Sequence, residues 1–589
     1  MDKYEKIVRL ARRRGFFWQA FEIYGGVSGF MSLGPLGVAL KRNIMDKWRN
    51  TFIVPHQDFI LEIETPIVSP EIVFRASGHL EHFTDYIVEC LDCGRKYRAD
   101  HLIEQNTSLK NLERYSTVEL TNMIRKYNIK CPECNGRLGE VGVFNLLFKT
   151  TIGPYSENIG YSRPEAAQGM FINFHRIYQI MRRKLPLGIA QIGKVLRNEI
   201  SPRQGLIRLR EFTIMELELF FDPKNPQCPL LHRVEDIKLR LLTEDLQRKD
   251  IEEPIEISVR EAVEEDLIIN EWNAYFMALA KEFIESIGVP PHKQMFVEKL
   301  PEERAHYAAQ TYDQVVYVER WGWIEVSGHA YRTDYDLKGH IKYSGRDLRA
   351  HRILKVPKVV RRVEVKPIIE TLREDFRDLM PQLIKTLGDL NAEVVAMELQ
   401  NKGYIDVKIS EGSCYRLTRR HIAVITKEEK RGVESFIPHV AEPSFGAERV
   451  LYTALEYAYS ERDGRIVLKL PRDIAPIKAS VFPIVKKDEF IEIALRIYDN
   501  LKSASISVVY DDEGAIGRRY MRVDEIGVPF AITVDGHTLV DGTVTVRDRD
   551  TWQQVRVHEK DLVKFIKLGC KNPKLSIHEI LVTISAQCS

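Results

Sequence analysis

Cysteine, net charge and long apolar segments are all scarce in this chain, and each shortage excludes a class of protein. Eight cysteines in 589 residues are too few for a disulfide scaffold. Because the formal net charge is only +2, any nucleic-acid surface must come from local basic clusters. No apolar run approaches the roughly 18 residues of a membrane span, and the charged start does not resemble a signal peptide. We therefore expect a cytoplasmic protein with no membrane partner.

The chain nevertheless has enough material for several domains. With 44% hydrophobic residues it can bury more than one core, and a typical length of about 150 residues per domain suggests about four domains. Low-complexity tracts and fixed-period repeats are lacking in the sequence. The organisation therefore has to be found from motifs and their spacing.

Four of the cysteines form two closely spaced pairs, Cys90-Leu-Asp-Cys93-Gly and Cys131-Pro-Glu-Cys134-Asn-Gly. The glycine behind each pair permits a tight turn, so Cys90, Cys93, Cys131 and Cys134 predict one tetrahedral zinc site. Four cysteine ligands leave no open coordination position, which makes the predicted site structural. The alternative is two chance pairs of free thiols. Between the pairs, Asp100 to Tyr127 predicts a helical insert. The remaining cysteines are interpreted as isolated packing or surface residues: Cys228, Cys414, Cys570 and Cys588.

The stretch from Arg197 to Glu216 predicts a β-hairpin with one apolar and one chemical face. Alternation with period two turns one group toward a core, namely Leu209, Met215, Leu217 and Leu219. The other parity of the second arm carries Arg208, Arg210, Phe212, Glu216 and Glu218. Arg197 and Glu199 share one face of the first arm. Such a face suits phosphates, a stacked base and an amine, whereas the plain alternative is a solvated face with cross-strand ion pairs.

Arg-x-Glu, a loop and Arg-xxx-Phe-xxx-Glu together resemble motif 2 of the class II aminoacyl-tRNA synthetases. Residues 24–53 followed by 60–70 resemble motif 1, a long helix and a strand ending at Pro66, which forms the dimer interface in that class. Residues 443–459 resemble motif 3, with Gly446 and Arg449 opening an apolar helix. The presence of all three motifs in this order is specific for the class, whereas a single motif would be a weak signal.

Within the class, the resemblance narrows to homodimeric glycyl-tRNA synthetases of the archaeal and eukaryotic type. The supporting strings are YGGVSGF, ASGHLEHFTDY, RPEAAQG, RNEISPRQGLIRLREF and EPSFGAER. The resemblance implies a glycine–tRNA ligase that activates glycine with ATP to glycyl-adenylate and transfers it to the 3′ end of tRNA(Gly) in translation. It also implies a homodimer formed through motif 1. Glu448 departs from the eukaryotic pattern, which commonly has glycine before the arginine.

By the same resemblance, motifs 2 and 3 would bind ATP together with Mg²⁺. Arg197 would hold the α-phosphate, Glu199 the adenine amino group, and Phe212 would stack under the adenine. Arg208 and Arg449 would reach the β and γ phosphates, and Glu325 would lie near ATP and Mg²⁺. Arg197 and Arg449 are the expected catalytic residues. The whole expected ATP set is Arg197, Asn198, Glu199, Arg208, Leu209, Phe212, Glu325, Val326 and Arg449.

The expected glycine site is a cage of carboxylates. Glycine offers only an ammonium group, a carboxylate and two hydrogens, so such a cage can bind it and leave no room at the α-carbon. The matching positions are Glu165, Glu216, Glu442, Pro443 and Ser444, and Arg332 would hold the substrate carboxylate. Isolated glutamates usually lie on surfaces, so the motif context is what singles these out.

We expect an α/β (α+β) fold in which two insertions interrupt an antiparallel-sheet catalytic domain. The predicted catalytic core comprises residues 1–84, 150–345 and 437–465, with a zinc-binding insertion at 85–149 and an anticodon-binding domain at 466–589. The second insertion, 346–436, is predicted as a helix around Pro367 to Asn391 followed by strands AEVVAMEL, YIDVKI and HIAVITK. Its basic runs at 355–366, 416–420 and 427–431 favour contact with the tRNA acceptor arm.

After Pro471 the pattern alternates strands and helices, which predicts a small α/β domain. It resembles the anticodon-binding domain shared by glycyl-, prolyl-, threonyl- and histidyl-tRNA synthetases, through DDEGAIGRRYMRVDEIGVP. Five arginines there are candidates for contacts with phosphates or bases, although packing roles are the stronger interpretation for any one of them: Arg518, Arg519, Arg522, Arg547 and Arg549.

Three other functions remain open. The nearest is a class II synthetase for another small amino acid, such as proline or threonine. A class II paralogue that forms adenylates without charging tRNA would usually lack the C-terminal module. A non-enzymatic protein that binds zinc and nucleic acid would not explain the pattern of charged residues in motifs 2 and 3, namely Arg197, Arg208, Glu216 and Arg449. Glycine-dependent ATP–pyrophosphate exchange and tRNA charging would separate these alternatives.

Overall fold

The computed structural model describes residues 1–109, 112–155, 157–202, 204–409 and 413–586. The chain divides into two compact units. Residues 1–348 with 437–589 form the first unit, and residues 349–436 form the second. Among the described residues, no helix is both long enough and apolar enough to cross a membrane.

The first part of the larger unit contains the motif 1 helix and the segment with the cysteine pairs. Its elements are α1 (Lys3–Arg14), β1 (Phe17–Gln19), β2 (Met31–Leu33), α2 (Pro35–Phe52), β3 (Ile60–Glu62), β4 (Val68–Pro70), α3 (Glu71–Ala76), α4 (His79–His82), β5 (Thr84–Cys90), β6 (Lys96–Arg98), α5 (Ala99–Asn106), α6 (Thr117–Lys126), β7 (Leu138–Asn145), β8 (Phe148–Thr151) and β9 (Ile159–Ser162). The predicted helical insert between the cysteine pairs is confirmed as α5 and α6. The predicted motif 1 strand is shorter than expected, because β3 ends at Glu62 and not at Pro66.

The next part supplies most of the catalytic sheet. Its elements are α7 (Ala167–Ile180), β10 (Leu187–Leu196), β11 (Glu211–Phe221), β12 (Lys238–Leu242), α8 (Glu244–Arg248), β13 (Ile255–Ser258), α9 (Val259–Glu264), α10 (Glu271–Ser286), β14 (Gln294–Glu298), β15 (Gln310–Val318), β16 (Gly322–Thr333) and α11 (Tyr335–Ser344).

The second unit follows with three helices between two long strands. Its elements are β17 (Ala350–Pro367), α12 (Ile369–Phe376), α13 (Met380–Asp389), α14 (Ala392–Asn401), β18 (Tyr404–Lys408), β19 (Cys414–Thr418) and β20 (Ile422–Phe436). The segment AEVVAMEL was wrongly predicted as a strand and forms α14. The side chain of Asn391 accepts from the backbone N–H groups of Glu393 and Val394 and so begins a helix. Val395 and Leu399 are buried one turn apart, so the apolar period is four residues and not two.

The first unit resumes after residue 436 and ends in the small C-terminal domain. The elements are β21 (His439–Gly446), α15 (Ala447–Ala458), β22 (Tyr459–Arg462), β23 (Arg465–Leu468), β24 (Ala479–Pro483), α16 (Asp488–Ser503), β25 (Val508–Tyr510), α17 (Ile516–Asp524), β26 (Phe530–Val534), α18 (Thr538–Asp541), β27 (Thr543–Asp548), β28 (Gln554–His558), α19 (Leu562–Lys571) and α20 (Ile577–Ala586). The predicted alternation of strands and helices is confirmed from β24 to β27. The last strand and the last two helices were not predicted.

The catalytic sheet has nine strands in the order β13-β12-β14-β15-β16-β21-β11-β10-β3. Its neighbours are antiparallel except for β3 with β10 and β12 with β14. Helices α2, α10 and α15 cover one face: Phe445 of β21 packs against Trp48 and Phe52 of α2 and Phe283 of α10. Because successive side chains of a strand alternate, the residues next to Phe445 point to the opposite face, which carries the polar groups described below.

Candidate active site

The predicted hairpin is present as β10 and β11, which pair antiparallel over residues 187–196 and 211–220, but Arg197, Glu199 and Arg208 lie in the segment that connects the strands and not on its arms. Beyond the strand ends, the Arg197 N–H donates to the Arg210 carbonyl at 2.9 Å and continues the pairing toward the loop. The apolar parity lies in the main core. Glu216 and Glu218 on the other parity are 1% and 0% exposed, so this face is not solvated and the plain alternative is wrong.

One cleft brings together seven of the nine residues expected to bind ATP: Arg197, Glu199, Arg208, Leu209, Phe212, Glu325 and Arg449. The other two do not line it. The Asn198 N–H donates to the Leu146 carbonyl at 2.7 Å, and Val326 is buried in the core. The Arg197 guanidinium lies 5.4 Å from the centre of the Phe212 ring and 5.7 Å from that of Phe83. Its Nε donates to the Pro164 carbonyl at 3.1 Å.

The other two arginines of the cleft are paired with carboxylates of the same cleft. Arg208 lies 2.6 Å from Glu199, and Arg449 lies 3.0 Å from Glu325. Partial desolvation acts to raise the pKa of Glu325, but the positive charges of Arg449 and Lys299 outweigh it and lower the pKa to about 2. Glu325 is therefore ionised, and it competes with any phosphate for Arg449.

The residues expected to bind glycine form a connected network around Arg332. This arginine is 0% exposed and donates to Asp336 at 2.9 Å, Glu442 at 3.0 Å and Glu165 at 3.2 Å. Its guanidinium also lies 3.8 Å from the centre of the Tyr307 ring. Most of its donors are thus already engaged with protein carboxylates, and its expected contact with the substrate carboxylate stays a prediction.

Glu216 joins this network to motif 3. One carboxylate oxygen of Glu216 accepts from the Ala166 N–H at 2.6 Å, and the other accepts from the Ser444 hydroxyl at 3.0 Å. Glu216 and Ser444 are cross-strand partners in β11 and β21. Pro443 lies between Ser444 and Glu442 on β21.

The buried carboxyls of the pocket titrate differently because only some of them face a cation. Burial acts to raise the pKa of Glu165, but Arg332 and His79 outweigh it and hold the pKa well below its usual range. For Glu216, burial and the neighbouring Glu442 raise the pKa well above its usual range. An ammonium ion that entered the pocket would favour the ionised form of these carboxyls.

Several residues of the site were not predicted. Glu218 belongs to the parity of Glu216, which was a usable signal, but the resemblance did not assign it a role. Tyr307 lies in a loop and Asp336 in α11, and neither position carries a sequence pattern that points to the pocket. Gln168 donates both to Glu165 and to Asp336 at 2.8 Å and completes the network.

Glu448, which departs from the eukaryotic pattern, ties the three motifs together. Its carboxylate accepts from the Thr213 N–H of β11 at 2.7 Å and from the Lys41 ammonium of α2 at 3.1 Å. It therefore holds the motif 1 helix and the motif 2 strand against the start of the motif 3 helix. Glycine at this position could make neither bond.

The two cysteine pairs meet at one point. The Sγ atoms of Cys90, Cys93, Cys131 and Cys134 all lie within 4.8 Å of one another. Each pair is closed by a turn: the Gly94 N–H donates to the Cys90 carbonyl and the Asn135 N–H to the Cys131 carbonyl, both at 2.9 Å. Gly94 and Asn135 have positive φ angles of 68° and 58°, which glycine and asparagine tolerate best. Four converging thiols are a donor set that fits zinc.

Three of the remaining cysteines lie apart from this cluster. Cys228 is buried, Cys414 is exposed and Cys570 is half-buried. Cys588 lies outside the described residues.

Three of the five candidate arginines of the C-terminal domain have packing roles. Arg519, Arg547 and Arg549 are buried. Arg547 forms two bonds of 3.0 Å to Asp524, and Arg549 donates to the carbonyls of Gly527 and Leu470 at 2.8 and 2.7 Å. Arg522 pairs with Asp511, whereas Arg518 is exposed.

Comparisons with known proteins find relatives over nearly the whole chain. A family model described as "Anticodon binding domain" matches residues 478–568. The chain is 50% identical over 567 residues to a glycine--tRNA ligase of Aeropyrum pernix, covering 95% of this chain and 96% of that protein. It is 46% identical over 574 residues to a glycine--tRNA ligase of Methanocaldococcus jannaschii, covering 96% and 99%. A prolyl-tRNA synthetase of Giardia lamblia in complex with prolyl-adenylate has 15% identity and a TM-score of 0.49, covering 95% of this chain and 75% of that chain.

An antiparallel sheet that carries an arginine-lined cleft, followed by an anticodon-binding domain, defines an aminoacyl-tRNA synthetase of class II. Nearly full-length identity of 46% to 50% then gives the particular family. The chain belongs to the glycine–tRNA ligases.

Proposed function

We propose that this chain activates glycine with ATP and transfers the glycyl group to the 3′ end of tRNA(Gly). The observation that carries the proposal is the arrangement along β11. Phe212 at one end of this strand lines the arginine-rich cleft, and Glu216 four residues further on joins the buried carboxylate network. A nucleotide and an amine can therefore be held side by side on one rigid element.

Arg197 is the group that acts on the reacting atoms in this proposal. The glycine carboxylate attacks the α-phosphorus of ATP, pyrophosphate leaves, and glycyl-adenylate forms. Negative charge builds up on the α-phosphate oxygens in the transition state, and Arg197 stabilises it. Arg208 and Arg449 bind the outer phosphates after leaving Glu199 and Glu325. No covalent enzyme nucleophile is needed, since orientation and charge stabilisation supply the rate.

Glycine selection is proposed to rest on the carboxylate network. Glu165, Glu216 and Glu442 receive the ammonium group, and Arg332 keeps these carboxylates fixed. A larger amino acid would have to displace side chains that are buried and hydrogen-bonded. Because forcing extra atoms into a filled site costs about 1 to 3 kcal/mol or more, alanine and serine are rejected.

Two metal ions are part of the proposal. Mg²⁺ would be held mainly by the phosphates of ATP, with Glu325 as the nearest carboxylate. Zinc would be held by Cys90, Cys93, Cys131 and Cys134, where it stabilises the folded insertion and supplies no catalytic chemistry. Metal analysis of freshly purified protein should give one zinc per chain, and Cys131→Ser should lose it. The matched variant Cys414→Ser, at an exposed cysteine, should keep it, and zinc-free wild-type protein would contradict the assignment.

A homodimer is proposed on the basis of apolar residues exposed just before the motif 1 helix. Ile23 and Tyr24 are 87% and 84% exposed, and Phe21 and Val27 are exposed nearby. Contiguous exposed apolar groups of this kind mark interaction surfaces. Light scattering should give twice the chain mass, and replacing Ile23 and Tyr24 by aspartate should shift the protein toward the monomer. A wild-type monomer at micromolar concentration would exclude this interface.

Each domain has a separate role in this proposal. Residues 85–149 bind zinc, residues 346–436 contact the acceptor arm of tRNA, and residues 466–589 bind the anticodon. The catalytic core comprises residues 1–84, 150–345 and 437–465. The protein would then act in the cytoplasm, where tRNA is charged for translation.

The decisive experiment has two steps. Glycine-dependent ATP–pyrophosphate exchange tests adenylate formation, and aminoacylation assays with all twenty amino acids test charging and its specificity. Exchange without glycine charging would point to an adenylate-forming paralogue, and exchange with proline or threonine would point to another specificity.

A further inference from the structure

Glu218 is a buried carboxyl of the pocket to which the proposed reaction gives no role. The register of β11 with β21 has Glu216 opposite Ser444 and Leu219 opposite Ala441, which puts Glu218 opposite Glu442. Carboxylate oxygens of Glu216, Glu218 and Glu442 lie within 4.8 Å of one another. The side chain of Glu218 thus faces the group that is expected to receive the substrate ammonium.

The three carboxyls differ in the donors that reach them. Glu216 accepts from the Ala166 N–H and the Ser444 hydroxyl, and Glu442 accepts from Arg332 at 3.0 Å. No N–H or O–H group of the described residues donates to either oxygen of Glu218. Hydrogen bonds to the charged form are what stabilise a buried carboxylate. Of the three carboxyls, Glu218 is therefore the one whose ionised form has no hydrogen-bond donor, although burial also raises the pKa of Glu216 and of Glu442.

Three of the four charged groups around Glu218 act in the same direction and oppose its ionisation. It faces Glu442 on β21, Arg332 on β16, Glu216 on its own strand and Glu165 just before α7. The single arginine of this set is already shared among Asp336, Glu165 and Glu442. Burial, followed by the charge of Glu442, raises the pKa of Glu218 well above its usual range. Like charges directly opposite each other in a buried sheet are unfavourable, so one proton resides within this pair.

We propose that Glu218 is a positioning residue for the amino-acid substrate: it remains a neutral acid, donates its O–H to Glu442, and so keeps Glu442 ionised for the ammonium group of glycine. This inference rests on the proposed function. A neutral donor at this position also limits the negative charge of the empty pocket.

Two substitutions distinguish a neutral donor from an anion. Glu218→Gln keeps the shape and a neutral donor, whereas Glu218→Leu removes the donor. Pyrophosphate exchange should be measured from about pH 6 to about pH 9, with separate KM values for glycine and ATP. We expect Glu218→Gln to stay near wild type. Glu218→Leu should raise the KM for glycine about 10- to 100-fold near pH 7 with little effect on the KM for ATP, because a hydrogen bond to a charged group is lost.

The pH dependence is the part that a merely structural role would not produce. Without the donor the pKa of Glu442 rises, so the defect of Glu218→Leu should shrink as the pH increases and Glu442 ionises. The matched control is Glu211→Gln on the same strand, whose side chain is 42% exposed and lies 3.1 Å from Lys194. This control should leave both KM values and their pH profiles unchanged.

Infrared difference spectra of the full-length enzyme test the protonation state directly. The spectra of wild-type enzyme and Glu211→Gln at neutral pH should contain the carbonyl band of one protonated carboxyl more than the spectrum of Glu218→Gln, so that the difference between wild type and Glu218→Gln shows this band. The inference is overturned if that difference lacks the band, if Glu218→Gln raises the glycine KM as strongly as Glu218→Leu, or if Glu218→Leu leaves that KM unchanged. Should Glu218→Leu fail to fold, the Gln variant and the spectrum still decide. Loss of the proposed function would appear differently, as wild-type enzyme without glycine-dependent exchange.

Discussion

The ATP cleft and the glycine pocket lie toward the two ends of β11, and their arginines differ in exposure and in the number of carboxylate partners. At the ATP end, the side chains of Arg208 and Arg449 are 22% and 30% exposed, and each has one carboxylate within 3.0 Å, with Asp85 at 3.9 Å from Arg208. At the glycine end, Arg332 is 0% exposed and is shared by three carboxylates. Partly exposed ion pairs contribute little to stability and exchange partners easily, whereas a buried network is costly to break.

This difference matches the two ligands. ATP brings several negative charges and can take over Arg208 and Arg449, so pairs that exchange are suitable there. Glycine is too small to reorganise a pocket through its own contacts, and its site has to be formed in advance. The ATP cleft is therefore expected to respond to substitution mainly in kinetics, and the glycine pocket mainly in stability.

The largest effect should come from removing the centre of the buried network. Arg332→Gln leaves Asp336, Glu165 and Glu442 without their cation, and breaking a buried ion pair costs about 3 to 5 kcal/mol. The free energy of unfolding, measured by denaturant titration, should fall by this amount. A variant as stable as wild type would show that the glycine pocket is no more rigidly built than the ATP cleft.

Arg197→Gln should have the next largest effect, and on rate rather than on stability. Arg197 lines the ATP cleft and also the adjoining cavity that contains Glu165, so it lies where the two ligands meet. Losing one oriented donor to a developing charge typically lowers the rate about 10²- to 10³-fold. Pyrophosphate exchange should fall accordingly while the unfolding midpoint stays unchanged. Arg182→Gln, at an exposed arginine after α7, is the control, and near-normal exchange in Arg197→Gln would refute the assignment.

The sequence predicted seven of the nine residues that were expected together at the ATP end, but it did not predict which buried residues surround Arg332 at the glycine end. The alternation from Leu209 to Leu219 fixes which side chains share a face, and three ordered motifs suggest their partners. The burial of these side chains could not be predicted in the same way, because it depends on elements that are distant in the chain. Nothing around Tyr307 or Asp336 indicates that they surround Arg332, and the parity of Glu218 does not reveal that it lacks a donor. Local apolar spacing also misled in α14, where adjacent valines favoured a strand although the cap at Asn391 begins a helix.

Arg449→Gln tests the exchangeable character of the ATP end. The variant loses a phosphate contact but also releases Glu325, and the exposed pair contributes only about 0 to 1 kcal/mol to folding. We expect the unfolding free energy to change little and the KM for ATP to rise about tenfold, as for the loss of one charge-assisted hydrogen bond. The glycine KM should be unaffected. If Arg449→Gln instead destabilises the fold as much as Arg332→Gln does, the contrast between the two ends is wrong.

The smallest effect concerns Asp85 of β5, which lies 3.3 Å from Arg98 and 3.9 Å from Arg208 of the ATP cleft. Burial, only partly offset by Arg98, raises the pKa of Asp85 from 3.8 to about 6. Because the folded protein holds this proton more tightly than the unfolded chain does, the associated stability is present below about pH 4 and is lost as the pH rises through about 6. Asp85→Asn should therefore match wild type at low pH and have a higher unfolding free energy than wild type above pH 7, where only the wild-type side chain has lost its proton. Asp236→Asn, at a side chain that is 93% exposed, should show no such pH-dependent difference. A variant less stable than wild type at neutral pH would mean that the ionised carboxylate is a net stabilising partner of Arg98 and Arg208, and that the ATP end contains a preformed ion network of its own.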